Sequence, residues 1–451
     1  MSTPESSHFD IMMIGAGPAG MSAARFARSR DKSLRIGTIR TQQHSIIPCS
    51  QPYSLDGTVK LEDTIKSDKA MLEDANIELC VGMVEAIDAD THTLTVSGCD
   101  NDEATYDRLL VATGARPIVP PIPGAELPGV HVFHDMPDAR DVSAAMPDTR
   151  TAVVVGGGYI GLEVATAFIE SGLNTHLVEM LPVCLGNVCS TRFARMALKQ
   201  LQEHGIKTHL GHAVAAVLGD KRAEGVQVGD ETIDADMVVF AVGVRANTDL
   251  LAAAGAQIGR FGVEVDDRMQ TSLPDVWAAG DCIEHRNFIT GAPGNGPLAT
   301  NALTQAKTAA INMTGGFRTF PGFINASATR LFGTGYGSTG LNVEKATAAG
   351  ITTVVGCADA LSCEYGFPGA SPLTMELVFD AATTRLIGAE TVGAAGVPER
   401  VDMLALAIQH RLTMEDLATM HYSNHPPQTD VPAKRLTINA AEDALRSAGL
   451  L

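Results

Sequence analysis

The residues of this sequence best suited to chemistry are one cysteine, two glycine-rich turns and two strand-end carboxylates. Cys49 lies in SIIPCSQPYSL (residues 45–55), between Pro48 and the Pro52–Tyr53 pair. Most cysteines are buried apolar side chains. These neighbours instead make a loop or helix entry, where a thiol is exposed and its thiolate is the reactive form. The first turn, in FDIMMIGAGPAG, carries Gly15, Gly17 and Gly20 between an apolar run and the helical pattern MSAARFARSR. The second, in TAVVVGGGYIG, carries Gly156, Gly158 and Gly161 ahead of the helix LEVATAFIESG. Glycine at these spacings lets the backbone approach a pyrophosphate and aims the following helix N-terminus at it. One such turn is weak evidence for a nucleotide; two, each between a strand and a helix, are strong.

The carboxylates refine that reading. Glu179 ends the strand THLVE, eighteen residues after Gly161. A carboxylate there accepts hydrogen bonds from both ribose hydroxyls and repels a 2′-phosphate, so NADH is expected in preference to NADPH. No arginine follows it until Arg192. Asp281 follows Gly280 at the end of VWAAGDC (276–282), where it could hold a ribityl hydroxyl or a pyrophosphate-bound water. Ala112, Thr113 and Gly114, in ATGARP, put small residues where a flat ligand can pass. Three separated segments, around residues 15, 112 and 280, are thus expected to converge on one ligand.

The elements that must position these residues define an α/β fold. The expectation is two Rossmann-like dinucleotide-binding domains plus a C-terminal α+β domain that serves dimerisation. The first domain takes residues 1–121 and 249–320, and the second is inserted as residues 122–248. From 321 to 451 the texture changes to alternating strands such as LTMELVFD and RLIGAETVG, then the amphipathic helix VPERVDMLALAIQHRL, with no glycine turn of its own.

Composition narrows the class. At 451 residues, with 45% hydrophobic and 19% charged residues, the chain is a multidomain globular protein. With Lys+Arg at 33 and Asp+Glu at 52, the net charge is −19, and so acidic a surface repels nucleic acid and anionic lipid. Neither is expected as a partner. The N-terminus MSTPESSHFD has no basic start leading into an apolar run, and no stretch is long enough to cross a bilayer, which suggests a cytoplasmic protein. Eight cysteines without a CxxC pair argue against a zinc site and against a disulfide framework. No metal is expected.

Together these motifs resemble, over nearly the whole chain, the FAD-dependent pyridine nucleotide–disulfide oxidoreductases. The resemblance implies that Gly15, Gly17, Gly20, Ala112, Thr113, Gly114, Gly280 and Asp281 hold FAD. It implies that Gly156, Gly158, Gly161 and Glu179 hold NADH, with Tyr159 and Glu163 facing the flavin edge. Tyr159 would gate the nicotinamide. Family members end the second strand of the FAD fold with an acid on the adenosine ribose, whereas LRIGTIRTQQH (34–44) has none. Thr38 or Arg40 is the expected substitute.

The pattern of Ser45, Cys49 and Pro52–Tyr53 resembles the single-cysteine branch, which includes coenzyme A disulfide reductases, NADH oxidases and peroxidases, and persulfide reductases. There Cys49 would sit against the flavin. Near the C-terminus, MHYSNHPPQTDV (420–431) resembles instead the HPTxxE signature of the two-cysteine branch. In those enzymes the His, held by the acid, serves the partner subunit, which gives His425 and Asp430 that role in a homodimer. A His–carboxylate pair can protonate a departing thiolate. Tyr422 is the alternative donor, since the single-cysteine branch more often uses a tyrosine in this region. Cys184 and Cys189 have the spacing of the two-cysteine redox disulfide but follow Glu179, away from the flavin, and are expected to be structural.

The function these residues imply is NADH-dependent reduction of a small disulfide or persulfide, such as that of coenzyme A, through Cys49. One alternative is an NADH oxidase or peroxidase cycling Cys49 through a sulfenic acid. The peroxidase members carry a His inside the first glycine turn, where this chain has Pro18 and Ala19. Others are a reductase of an electron-carrier protein, with Cys49 incidental, and a non-catalytic redox-sensing flavoprotein.

Overall fold

The apolar run after residue 7 becomes a strand because it is buried on both faces, as a parallel sheet demands. The computed structural model describes residues 7–451. The reading of the N-terminus rests partly on residues 1–6, which lie outside the described residues. By contacts the described residues divide into two compact units, the first built from residues 7–51, 59–117 and 244–323 and the second from 52–58, 118–243 and 324–451.

In the first unit, the central strand Ser7–Ile14 pairs in parallel with Ile36–Arg40 on one side and Glu103–Val111 on the other. Ile77–Val81 extends the sheet beyond Ile36–Arg40, and Thr93–Ser97 and Met83–Asp88 continue it as an antiparallel meander. Val276–Ala278 pairs in parallel with Glu103–Val111, which brings the end of VWAAGD beside the end of LLVATG. The helices Pro18–Arg30 and Ala299–Met313 pack together over fully buried Ile11, Met13 and Leu109.

This unit also corrects an expectation. Cys80 and Cys99 are joined by a disulfide, with Cα atoms 5.8 Å apart. Neither lies in a recognisable pair in the sequence. The sheet brings the end of Ile77–Val81 against the turn after Thr93–Ser97, and Gly82 leaves room for both sulfurs: a Cβ there would stand 2.8 Å from Cys99 Sγ and 3.3 Å from Cys80 Sγ.

In the second unit, five parallel strands run in the order Val130–Val132, Met237–Phe240, Thr151–Val155, Asn174–Glu179, Lys207–Leu210. The order places Thr151–Val155 centrally, so its glycine turn emerges where Asn174–Glu179 ends. A second sheet of five antiparallel strands follows, Ser327–Leu331, Thr334–Gly340, Leu386–Gly393, Pro372–Asp380 and Thr353–Leu361 in spatial order. The helices Val397–Gln409 and Leu436–Ser447 pack on it. These strands and helices form an α+β module within the second unit. Among the described residues no helix is long and apolar enough to cross a membrane, and no group of three or more side chains could hold a metal.

Candidate active site

The first glycine turn is shaped by close packing. Gly15 has φ +101°, and a Cβ on it would stand 2.2 Å from Ala112 O. A Cβ on Gly20 would stand 1.8 Å from Gly15 O, so the helix start lies directly on the strand end. Gly17 and Gly114 face open space. The Ala112 amide donates to Ile14 O at 2.7 Å, laying 112–114 alongside the turn. Gly280, at φ +87°, brings the third segment in, with its Cβ position 3.2 Å from Ala19 Cβ. The three segments expected to converge do so in space.

The cradle fits FAD by a further observation. Gln305 is buried; its Oε1 accepts from the Gly280 amide at 2.8 Å, while its Nε2 has no partner. A buried amide donor left unpaired costs about 1–3 kcal/mol, and it borders a cradle whose glycines leave room for a flat, polar ligand. No sequence signal distinguished Gln305 within its helix. Of the expected substitutes on the adenosine side, the Thr38 hydroxyl is buried without a hydrogen-bond partner among the described residues, whereas the Arg40 guanidinium is committed elsewhere. Thr38 is buried within its strand. Arg40, also buried, donates to Gln42 O, Gln43 O, Ser45 Oγ and the Asp68 carboxylate.

Cys49 is exposed, on the 3-10 turn Pro48–Ser50. Proline opens that turn with its fixed φ and no amide to satisfy. The turn is pinned on its N-terminal side, where Ser45–Ile46 pairs with Ile65–Lys66 and the Ile47 amide donates to Thr64 O at 2.8 Å.

In the second unit, Gly156 has φ +113° and Gly161 packs on it, repeating the geometry of the first turn, and Gly158 faces open space. Glu179 lies against this turn: its Oε2 accepts from the Gly157 amide at 2.6 Å and its Oε1 from Leu181 at 2.7 Å. The carboxylate is thereby held beside the second glycine turn.

Tyr159 and Glu163 lie at the start of the helix Tyr159–Glu170, and both reach the C-terminal sheet. Tyr159 Oη lies 3.0 Å from Ser327 Oγ and 3.3 Å from Ser338 Oγ, so in this structure the ring expected to gate the nicotinamide is anchored to that sheet. Glu163 Oε1 accepts from Thr329 Oγ1 at 2.7 Å and from Tyr53 Oη at 3.5 Å. Burial raises the Glu163 carboxyl above its ordinary range, against the pull of those two donors. Burial, with the nearby Glu163 charge, pushes the Tyr53 hydroxyl up to about 12. Thr329 and the Tyr53 contact were invisible in the sequence, because they join segments more than a hundred residues apart.

The expected His425–Asp430 pair is not formed. His425 is exposed, its backbone amide donating to Thr429 Oγ1. Asp430 is buried and bonds instead to the Arg435 guanidinium and the Leu436 amide, with Arg400 at 3.8 Å. A buried carboxylate requires compensating charge, and two arginines beside a helix N-terminus supply it better than an exposed imidazole. Tyr422 is exposed, with the Arg435 guanidinium 5.0 Å over its ring. Cys184 and Cys189 are buried, and burial raises both thiols, to about 12 for Cys184.

Two nucleotide cradles and a C-terminal antiparallel sheet with helices define the class. The chain belongs to the pyridine nucleotide-disulphide oxidoreductase family, whose model matches residues 9–306; that of the family's dimerisation domain matches residues 328–435. It is similar to the NADH oxidase of Methanocaldococcus jannaschii, at 33% identity over 96% of this chain and 98% of that protein. It is similar to the CoA-dependent NAD(P)H sulfur oxidoreductase of Pyrococcus furiosus, at 30% identity over 92% of this chain and 95% of that protein. Among solved structures, the NAD-dependent persulfide reductase from A. fulgidus superposes with a TM-score of 0.93 and 28% identity, covering 97% of this chain and 83% of that chain. The protein is accordingly an NADH-dependent flavoprotein oxidoreductase that uses FAD, and the dimerisation domain supports a homodimer.

Proposed function

We propose that this enzyme reduces a small disulfide or persulfide, of the coenzyme A type, with electrons from NADH delivered through Cys49. The observation that carries this reading is a single exposed thiol on a proline-opened turn. The CoA-dependent sulfur reductase among its relatives supports it. FAD, when bound, would supply the two-electron redox chemistry that couples NADH to sulfur. Gly15, Gly17, Gly20, Ala112, Thr113, Gly114, Gly280 and Asp281 would hold it, and Gly156, Gly158, Gly161 and Glu179 would hold NADH.

The Cys49 thiolate attacks one sulfur of the disulfide R–S–S–R. That bond breaks, a mixed disulfide forms between Cys49 and one R–S group, and the other leaves as a thiolate that takes up a proton. Two electrons then cleave the mixed disulfide, restoring the Cys49 thiolate and releasing the second thiolate. The sum is NADH, one proton and one disulfide in; NAD+ and two thiols out. His425 of the partner subunit, or Tyr422 of the partner subunit, would protonate the first leaving thiolate.

The 33% identity to an NADH oxidase favours a second reading, in which a peroxide oxidises Cys49 to a sulfenic acid that NADH then reduces. Steady-state NADH oxidation with coenzyme A disulfide, a coenzyme A persulfide, hydrogen peroxide and oxygen decides between them. The disulfide or persulfide is expected to be the fastest acceptor, with Cys49→Ser abolishing its turnover. Faster turnover of peroxide or oxygen would replace this reading with the second.

A further inference from the structure

The residue at the end of the second strand of the FAD fold is an arginine where an acid usually binds the adenosine ribose. Arg40 cannot do that work directly. Its side chain is only 1% exposed, and its guanidinium is spent on Gln42 O, Gln43 O, Ser45 Oγ and the Asp68 carboxylate. Asp68 differs in keeping 27% of its side chain exposed while lying on the same guanidinium. From the structure we infer that Asp68 supplies the missing acid: it accepts hydrogen bonds from the adenosine ribose hydroxyls of FAD, with Arg40 as the residue that positions it.

Three features support this assignment. The pair is tied to the glycine turn, because Ser45 Oγ, which Arg40 Nη1 meets at 2.6 Å, donates in turn to Ala16 O at 3.2 Å. The Gly15 amide donates to Ile39 O, so the strand end carrying Arg40 borders the turn directly. Stoichiometry also fits. A carboxylate has about four acceptor positions; Arg40 takes one on each oxygen, leaving each oxygen able to receive one hydroxyl of a vicinal diol. Because Arg40 neutralises the carboxylate, Asp68 can stand near the FAD pyrophosphate without the repulsion an unpaired acid would bring.

The test uses apoprotein prepared from the full chain by removing FAD, and reads flavin affinity from fluorescence quenching. FAD is compared with an analogue whose adenosine carries a 2′,3′-dideoxyribose. Wild-type protein is expected to bind FAD roughly ten- to a hundredfold more tightly than the analogue, the usual size of hydrogen bonds to a charged group. Asp68→Asn should weaken FAD by a similar factor while leaving the analogue nearly unchanged. Equal wild-type affinity for the two flavins would overturn the assignment without any variant. So would an Asp68→Asn protein that binds FAD as well as wild type, or that loses both ligands equally, since the latter marks a purely structural role.

Discussion

Glu390, on a strand of the C-terminal sheet, accepts hydrogen bonds from both the amide (2.6 Å) and the hydroxyl (2.8 Å) of Ser190, the residue that opens the nucleotide-fold helix Thr191–Glu203. Glu344 does the same for Thr191, at 3.0 and 2.8 Å. A helix of the nucleotide fold is thus capped by carboxyl groups from the C-terminal module, whose oxygens satisfy its orphan amides.

Burial pushes the Glu390 carboxyl up to about 8, outweighing the Ser190 hydrogen bonds that pull it down, with Glu376 and Glu344 adding to the rise. A carboxyl raised above its unfolded value contributes stability that is fully present below the unfolded pKa, about 4.3. That stability is lost as pH rises toward about 8. Denaturant unfolding is therefore expected to show Glu390→Gln gaining on wild type between those limits, by on the order of a few kcal/mol at the alkaline end. A constant difference between the two proteins across that range would contradict the assignment.

Glu179 accepts hydrogen bonds from the Gly157 amide of the second glycine turn and from the Leu181 amide, and in the proposed coenzyme site it would exclude a 2′-phosphate. Stopped-flow bleaching of the flavin should be far faster with NADH than with NADPH. Glu179→Arg should move the preference toward NADPH; equal rates with wild type would remove Glu179 from the coenzyme site.

Because Asp430 is bonded to Arg435 and the Leu436 amide, Asp430→Asn and His425→Ala should have different phenotypes. The histidine variant should fold normally and slow disulfide turnover by roughly the hundred- to ten-thousandfold typical of losing a general acid. The aspartate variant should mainly lose stability, by about 3–5 kcal/mol for a broken buried ion pair. A silent His425→Ala variant, tested alongside Tyr422→Phe, would pass the donor role to whichever residue proves sensitive.

The Cys80–Cys99 bond closes a loop with a sequence separation of 19. Closing a loop of that size is worth about 3 kcal/mol of stability. Thermal unfolding should show a lower midpoint in reductant for wild type and no such effect for the Cys80→Ser, Cys99→Ser double variant. Two free thiols at these positions in non-reduced protein, counted by mass spectrometry after alkylation, would contradict the pairing.

Sequence alone determined the parts whose chemistry is local. A glycine at a required positive φ, such as Gly15 or Gly156, and a strand-end acid such as Glu179 announce themselves within a window of about thirty residues. The two nucleotide folds, the convergence of the three segments around residues 15, 112 and 280, and the α+β character of the C-terminal module were legible for that reason, and the exposure of Cys49 was legible from its prolines. Tertiary structure decided what depends on partners distant in the chain. Glu163 meets Thr329 across 166 positions, and Ser190 meets Glu390 across 200. Asp430 shares a six-residue signature with His425, yet its burial among Arg400, Arg435 and a helix start set its partners. No local pattern encodes which charges will be buried together, because desolvation is a property of the packed fold and not of the segment.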